Sequence, residues 1–172
     1  MSIKPAEVGV DIIFFDGEDY GKPNDVPSTQ NDFQDWCLGS QHWSQQPHVY
    51  GYRARYGILL DMVGAADAEF NREGTSMKYA PHVVRKVWSR AKALGYDDRF
   101  LNEQTPKTVD DNLFVSEYAG VPSANIVDYR MTIRPMGYGF FHHTHADNMD
   151  IIDVNTLEAV GETVLSVVYN EQ

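Results

Sequence analysis

The sequence predicts one α/β domain, residues 1–172, built around a mostly parallel β-sheet. Two observations predict this class: short apolar runs of strand length alternate with segments of helical periodicity, and no break in composition marks a second domain. At 172 residues, with 42% of them hydrophobic, the chain is long enough to form a core of its own.

The strands are predicted from apolar runs rich in β-branched and aromatic residues, which are typical of strands buried on both faces. The first run stops abruptly at a cluster of acids, and the second is interrupted only by Asp61. The predicted strands are residues 8–15, 56–63 and 124–129, with shorter extended pieces at 68–72 and 99–102.

Local signals place two helices between these strands. Pro81 suits the first turn of a long helix, and Gly95 suits the position just after its end. Either Asp110 or Asp111 begins a second, shorter helix that runs to about residue 119.

Two further helices lie nearer the ends of the chain. The first is predicted to begin at Asp32, after a loop at 22–31. The last is predicted from a capping box formed by Asn155 and Glu158. Before it, residues 138–153 form a predicted loop that is dense in His and Asp.

Composition narrows the functional classes. The formal net charge of −11 disfavours nucleic acid and anionic membrane surfaces as partners, and it favours metal ions and substrates with a free amine. No run approaches the length of a transmembrane helix, and the first residues show no apolar core of a signal peptide. The single cysteine, Cys37, is predicted to be a small buried residue.

Four places in the sequence could carry chemistry. Glu18 and Asp19 follow the first predicted strand, where one carboxylate can hold a metal while its neighbour moves a proton; the alternative is an acidic turn. His143 lies in a His- and Asp-rich turn whose donors suit zinc, unless that turn is only a solvated loop. Asp61 is costly to bury unless it is paired, although it could instead cap a turn. Asp110 could be functional or simply an N-cap.

Six motifs occur together and in order along the chain, and together they resemble the zinc aminopeptidase and glutaminyl cyclase superfamily. The motifs are VDIIFFDGEDYG, WCLGSQHWS, YGILLDMVGA, VDDN, GVP and FHHTHADNMD. The resemblance implies a three-layer α/β sandwich around a mostly parallel mixed sheet, of the phosphorylase/hydrolase-like zinc exopeptidase architecture. It also implies a site that binds one or two zinc ions and takes a peptide or a small amine-bearing substrate.

The resemblance assigns roles to particular residues. Glu18 matches the catalytic carboxylate, the general base or proton shuttle, and Asp19 and His143 match zinc ligands. Asp61 matches a second-zinc ligand of the two-metal aminopeptidases and a hydrogen-bonding acid of the one-metal cyclases. Asp110 matches the acid that joins Asp61 in the cyclases. An aminopeptidase-like hydrolase is therefore the first expectation, and a glutaminyl cyclase or a non-catalytic member is the alternative.

The sequence also departs from the family pattern. Asn112 stands where relatives often have His. Asn125 stands where the cyclases have His, and His142 stands where they have Trp. An upstream His-x-Asp motif and a further metal-binding turn are not found, so the chain resembles the C-terminal part of the catalytic domain. We therefore expect weak or no zinc binding by this chain alone, and self-association through exposed apolar surface. The family resemblance also suggests an exported parent protein.

Overall fold

The computed structural model describes residues 5–21, 35–133 and 137–172, and it has α/β architecture. The predicted loop at 22–31 and the predicted helix start at Asp32 lie outside these residues. The strands are β1 Gly57–Asp61, β2 Phe70–Arg72, β3 Phe100–Gln104 and β4 Ser123–Val127. The helices are α1 Leu38–Gln45, α2 Gly74–Tyr79, α3 Pro81–Leu94, α4 Asp111–Tyr118 and α5 Val154–Tyr169, with 3₁₀ turns at Glu18–Tyr20 and Met149–Ile151.

Both described strand pairs are parallel, which confirms the predicted fold class. Strand β1 pairs with β4 over five residues, from Gly57 opposite Ser123 to Asp61 opposite Val127. Strand β2 pairs with β3. An isolated bridge between Phe70 and Asp128 connects the two pairs, so the described residues form two short sheets in contact and not one continuous sheet.

The core lies where α3 packs against β4 and α5. Val83, Val84 and Val87 on one face of α3 are fully buried, as are Ala124 and Ile126 on β4. Each fully buried Val or Ile contributes roughly 1.5–3 kcal/mol by leaving water. The ends of α3 fall where the sequence predicts them, because proline lacks only an amide hydrogen that the first turn does not need and Gly95 adopts a left-handed φ of 91°.

Helix α2, which the sequence analysis missed, begins at a fully buried carboxylate. Glu73 is the N-cap and accepts hydrogen bonds from the amides of Thr75 and Ser76 and from the Ser76 hydroxyl. It also accepts one from the amide of Thr108 at 2.8 Å, 35 residues along the chain. Glu73 therefore ties the start of α2 to the loop that leads into α4.

The start of α5 differs from the predicted capping box. Asp153, and not Asn155, is the N-cap, and its side chain accepts a hydrogen bond from the amide of Thr156 at 2.9 Å. The Asp153 carboxylate also lies 3.7 Å from the guanidinium of Arg99. Asp153 therefore combines a local capping hydrogen bond with an ion pair to Arg99. The local sequence pattern contains no information about that ion pair, because Arg99 is distant in sequence.

The largest correction concerns residues 8–15, which are not a buried strand in the structure. This segment has no assigned strand, and Ile12 and Phe14 are 78% and 93% exposed. A parallel strand forms only where a neighbouring strand accepts and donates its backbone hydrogen bonds, and the described residues place none beside this segment. Its other face, with Ile13 and Phe15, lies toward β1 across a small cavity.

No described helix is both long enough and apolar enough to cross a lipid bilayer.

Candidate active site

The predicted site residues line one pocket of about 530 Å³ at the carboxyl end of β1. This is the edge of a parallel sheet at which α/β proteins usually hold ligands. Its wall is strongly acidic and partly aromatic. The lining residues are Glu18, Asp19, Trp36, Asp61, Met62, Lys107, Thr108, Val109, Asp110, Tyr129, Tyr138, His142, His143 and Asp147.

Glu18 and Asp19 reach the pocket from a tight turn that α1 holds in place. Gly17 adopts a left-handed φ of 66° before the 3₁₀ turn. The first amides of α1 then bind the turn's carbonyls, from Cys37 to Glu18 at 2.9 Å and from Leu38 to Gly17 at 3.1 Å. Gly39 is also required, because a Cβ there would clash with the backbone of residue 16. The motifs GEDYG and CLGS therefore form one unit.

Asp19 and His143, which are 124 residues apart in sequence, meet in the structure. The Nε2 atom of His143 lies 2.9 Å from Oδ1 of Asp19. His143 has a φ of 57°, a left-handed conformation that is uncommon for a residue with a side chain. The structure thus places the two predicted zinc ligands in direct contact.

Asp61 and Asp110 form a hydrogen-bonded carboxyl pair at the back of the pocket. Burial, followed by the negative charges of Asp19 and Asp111, raises the pKa of Asp61 to about 6. Burial, followed by the charge of Asp61, raises the pKa of Asp110 well above its usual range. A hydrogen bond between two carboxyl groups requires one of them to be protonated, and burial favours that neutral form.

The position of Asp110 is fixed from two further sides. One carboxyl oxygen accepts from the amide of Asp111 at 2.6 Å, and the other accepts from the side-chain amide of Asn125 at 2.6 Å. Asp110 is thus the N-cap of α4, as one reading of the sequence proposed, and it also lines the pocket. The two readings of this residue are compatible.

The surroundings of Glu18 raise the pKa of its carboxyl into the neutral to mildly alkaline range. Burial, a hydrogen bond with Asp19, and the charges of Asp19 and Asp61 together raise the pKa of Glu18 to about 8. A group whose pKa lies near the working pH can both take up and release a proton during a reaction. A cation in the pocket would lower this pKa, because it would compensate the surrounding carboxylates.

Cys37 is buried, as the sequence predicts, and it also contacts the site, which the sequence did not indicate. Its thiol is buried and donates a hydrogen bond to Oε1 of Glu18 across 3.6 Å. Burial and the charges of Asp111 and Glu18 raise the pKa of the thiol, so it stays protonated and is a poor nucleophile or metal ligand. Its place directly after Trp36 in the WCLGS motif was the available signal.

The donor set fits zinc in part. Two donors bound to a tetrahedral zinc ion at ordinary bond lengths lie about 3.3 Å apart, so Asp19 and His143 would need to separate by only a few tenths of an ångström. Catalytic zinc usually has three protein ligands. In the described part of the chain, the one group of three donors within 4.8 Å of one another is Glu18, Cys37 and Asp110. A metal role for Asp61 therefore stays a prediction.

Comparison with known proteins identifies the class to which this fold and site belong. The sequence profile of peptidase family M28 matches residues 2–168. The chain belongs to this family.

Several solved structures resemble the chain closely. A glutaminyl cyclase from Bacteroides thetaiotaomicron, bound to N-acetylhistamine, is 47% identical, with a TM-score of 0.90 over 97% of this chain and 56% of its own. A leucine aminopeptidase precursor from the same organism is 47% identical, with a TM-score of 0.88 over 97% of this chain and 55% of its own. A Zn-dependent exopeptidase from Parabacteroides distasonis is 44% identical, with a TM-score of 0.86 over 92% and 53%.

The chain thus spans just over half the length of the structures that it resembles. A search of curated proteins finds no match. The superfamily resemblance read from the six motifs is confirmed by the family match and by these structures. Zinc is supported for the family, and binding of zinc by this chain stays a proposal.

Proposed function

We propose that this chain carries the proton-transferring and amine-binding part of a zinc-dependent site that acts on peptide N-termini. The reaction that the geometry supports best is cyclisation of an N-terminal glutamine to pyroglutamate. The observation that carries this choice is the contact between the carboxyl groups of Asp61 and Asp110, with Asp110 held in turn by the side-chain amide of Asn125, because this arrangement matches the hydrogen-bonding acids of the cyclases.

The chemistry assigned to Glu18 follows from its pKa of about 8. The substrate's amine nitrogen attacks the carbonyl carbon of its own side-chain amide, forming a C–N bond. Glu18 takes a proton from that amine and returns it to the departing nitrogen, so that ammonia leaves as the original amide C–N bond breaks. The acidic wall favours a substrate that enters as an ammonium ion.

A zinc ion held in part by Asp19 and His143 would polarise the amide carbonyl. We expect the chain on its own to bind zinc weakly, since the described residues bring two donors together and a catalytic site usually has three.

Aminopeptidase activity, the first expectation from the sequence, is the second candidate. The 47% identity to a leucine aminopeptidase precursor supports it. In that reaction Glu18 would take a proton from water and pass it to the leaving amine.

One assay separates the candidates. The chain is incubated with a glutamine-initiated peptide across a zinc titration, and mass spectrometry follows loss of ammonia and release of free glutamine. Ammonia loss that is absent in Glu18→Gln supports the cyclase proposal, whereas release of glutamine supports the aminopeptidase. If neither product forms at any zinc concentration, both proposed activities are wrong and the chain is a non-catalytic member of the family.

A further inference from the structure

Four rings form a nearly parallel stack along one wall of the pocket, and His143 lies inside it. The ring centroids of Trp36 and His143 are 5.7 Å apart with an interplanar angle of 12°. Those of His143 and His142 are 3.8 Å apart at 19°, and those of His142 and Tyr138 are 4.2 Å apart at 19°. Tyr129 packs edge-on against Tyr138. We call the Trp36, His143, His142 and Tyr138 rings the aromatic stack.

Backbone glycines fix both ends of the aromatic stack. Gly21 has a left-handed φ of 62°, and a Cβ there would lie 2.8 Å from the indole of Trp36. Gly137 has a φ of 82°, and a Cβ there would clash with the ring of Tyr129. The chain therefore closes directly onto the Trp36 ring at one end of the aromatic stack, and at the other end onto Tyr129, which packs against Tyr138.

The stack matters because His143 has few other restraints. A metal-binding histidine usually donates its second ring nitrogen to a carboxylate or a carbonyl, which fixes the plane of the imidazole. Here Nε2 lies against Asp19, and the described residues provide no hydrogen bond to Nδ1. The side chain is 45% exposed, so packing from the rest of the core does not hold it either.

We propose that Trp36 and His142 are positioning residues that hold the imidazole of His143 between two rings and so direct its Nε2 at Asp19. Face-to-face contact fixes the plane of the imidazole, which a hydrogen bond to Nδ1 would fix in an ordinary metal site. The proposal rests on the metal-ligand role assigned to His143 above, but its test needs no turnover.

The first test uses metal-free protein and compares Trp36→Leu with Trp36→Phe. The readout is the NMR order parameter of the His143 ring. We expect the leucine variant to lose order at His143 and the phenylalanine variant to keep it, because only the second retains a flat ring to stack on. Trp43→Leu is the matched control, since Trp43 is also half-buried but packs against Phe15 and Tyr52 away from the stack.

The second test measures affinity for Co²⁺ alone by calorimetry. Loss of an orienting partner typically weakens metal binding by about 10–100-fold, so we expect a fall of about tenfold or more in Trp36→Leu and near-complete rescue in Trp36→Phe. The same comparison applies to His142→Leu and His142→Phe. Thermal unfolding of each variant checks that the fold is intact.

Two results would overturn the proposal. One is a His143 ring that stays equally ordered in the leucine variants. The other is equal loss of order in the leucine and phenylalanine variants, which would show that stacking is not the cause. Neither result depends on peptide turnover, so failure here is distinguishable from failure of the proposed reaction.

Discussion

The two walls of the pocket are held by different means. Asp61 and Asp110 sit on β1 and at the start of α4, against a buried network that includes Glu73 and Asn125. Glu18 and Asp19 sit on a three-residue turn whose preceding segment, residues 8–15, is largely exposed and unpaired. The first wall is therefore fixed by the core, and the second depends on the backbone bonds from α1.

This difference places the titratable groups of the pocket in two environments. On the rigid wall, burial raises the pKa of Asp61 to about 6 and that of Asp110 well above its usual range, and on the less restrained wall the pKa of Glu18 rises to about 8. Because the first wall belongs to the core, substitutions in its supporting network should lower the free energy of unfolding more than substitutions in the exposed segment before Glu18.

The largest effect is expected at Glu18. Glu18→Gln keeps the size of the side chain but removes the proton acceptor, so the turnover number should fall by about 100- to 10,000-fold. Steady-state kinetics with a glutamine-initiated peptide measure this, and Glu103→Gln on the exposed part of β3 is the control. Equal activity of Glu18→Gln and Glu103→Gln would show that Glu18 takes no part in the reaction.

The next effect concerns the stability of the rigid wall. Glu73→Ala leaves several buried donors unsatisfied, including the amides of Ser76 and Thr108, and should lower the free energy of unfolding by about 3 kcal/mol or more. Phe14→Ser, in the exposed segment, should change it by less than about 0.5 kcal/mol. Urea unfolding measures the free energy of unfolding of both variants. Similar decreases in Glu73→Ala and Phe14→Ser would contradict the difference between the two walls.

A smaller effect is expected when Asp110 loses its carboxyl group but keeps its capping oxygen. Asparagine caps helices as well as aspartate does, so Asp110→Asn should retain most of the stability of α4. It loses a charge-assisted hydrogen bond of about 1.5–3 kcal/mol, so kcat/KM should fall about tenfold or more. Asp153→Asn, the same change at the cap of α5, should leave kcat/KM unchanged.

The smallest effect is a change of stability with pH in the metal-free protein. The raised pKa of Glu18, about 8, means that the folded state binds this proton more tightly than the unfolded chain does. The resulting stabilisation is complete at low pH and is lost as the pH rises through about 8. Burial and the neighbouring His143 lower the pKa of His142 from 6.5, which moves its titration away from this pH range.

Melting temperature should therefore fall between pH 7 and pH 9, and it should fall less in Glu18→Gln. Differential scanning calorimetry in the presence of a chelator measures both proteins. An identical pH dependence in the two proteins would show that Glu18 does not carry the raised pKa.

The parts of the fold that follow from local chemistry were predictable. Pro81 and Gly95 bound α3 because the constraints on the first and last turns of a helix involve only neighbouring residues. The meeting of Asp19 with His143 was also predictable, because motifs known from a family carry information about long-range contacts.

Other features depend on contacts that a sequence pattern does not contain. Residues 8–15 have the composition of a strand, but a strand also needs a hydrogen-bonding neighbour. Cys37 contacts Glu18 only because Cys37 takes a left-handed φ of 55° ahead of α1, and nothing in the residue type indicates that conformation. The hydrogen bond that Glu73 accepts from the amide of Thr108 spans 35 residues, and the sequence pattern did not indicate it for the same reason.

The buried thiol of Cys37 offers one practical consequence. Because it is the only cysteine and its sulfur lies under the turn that carries Glu18, an alkylating reagent can reach it only when that turn moves aside. The rate of alkylation under native conditions therefore reports how often the turn opens, without any label added to the protein.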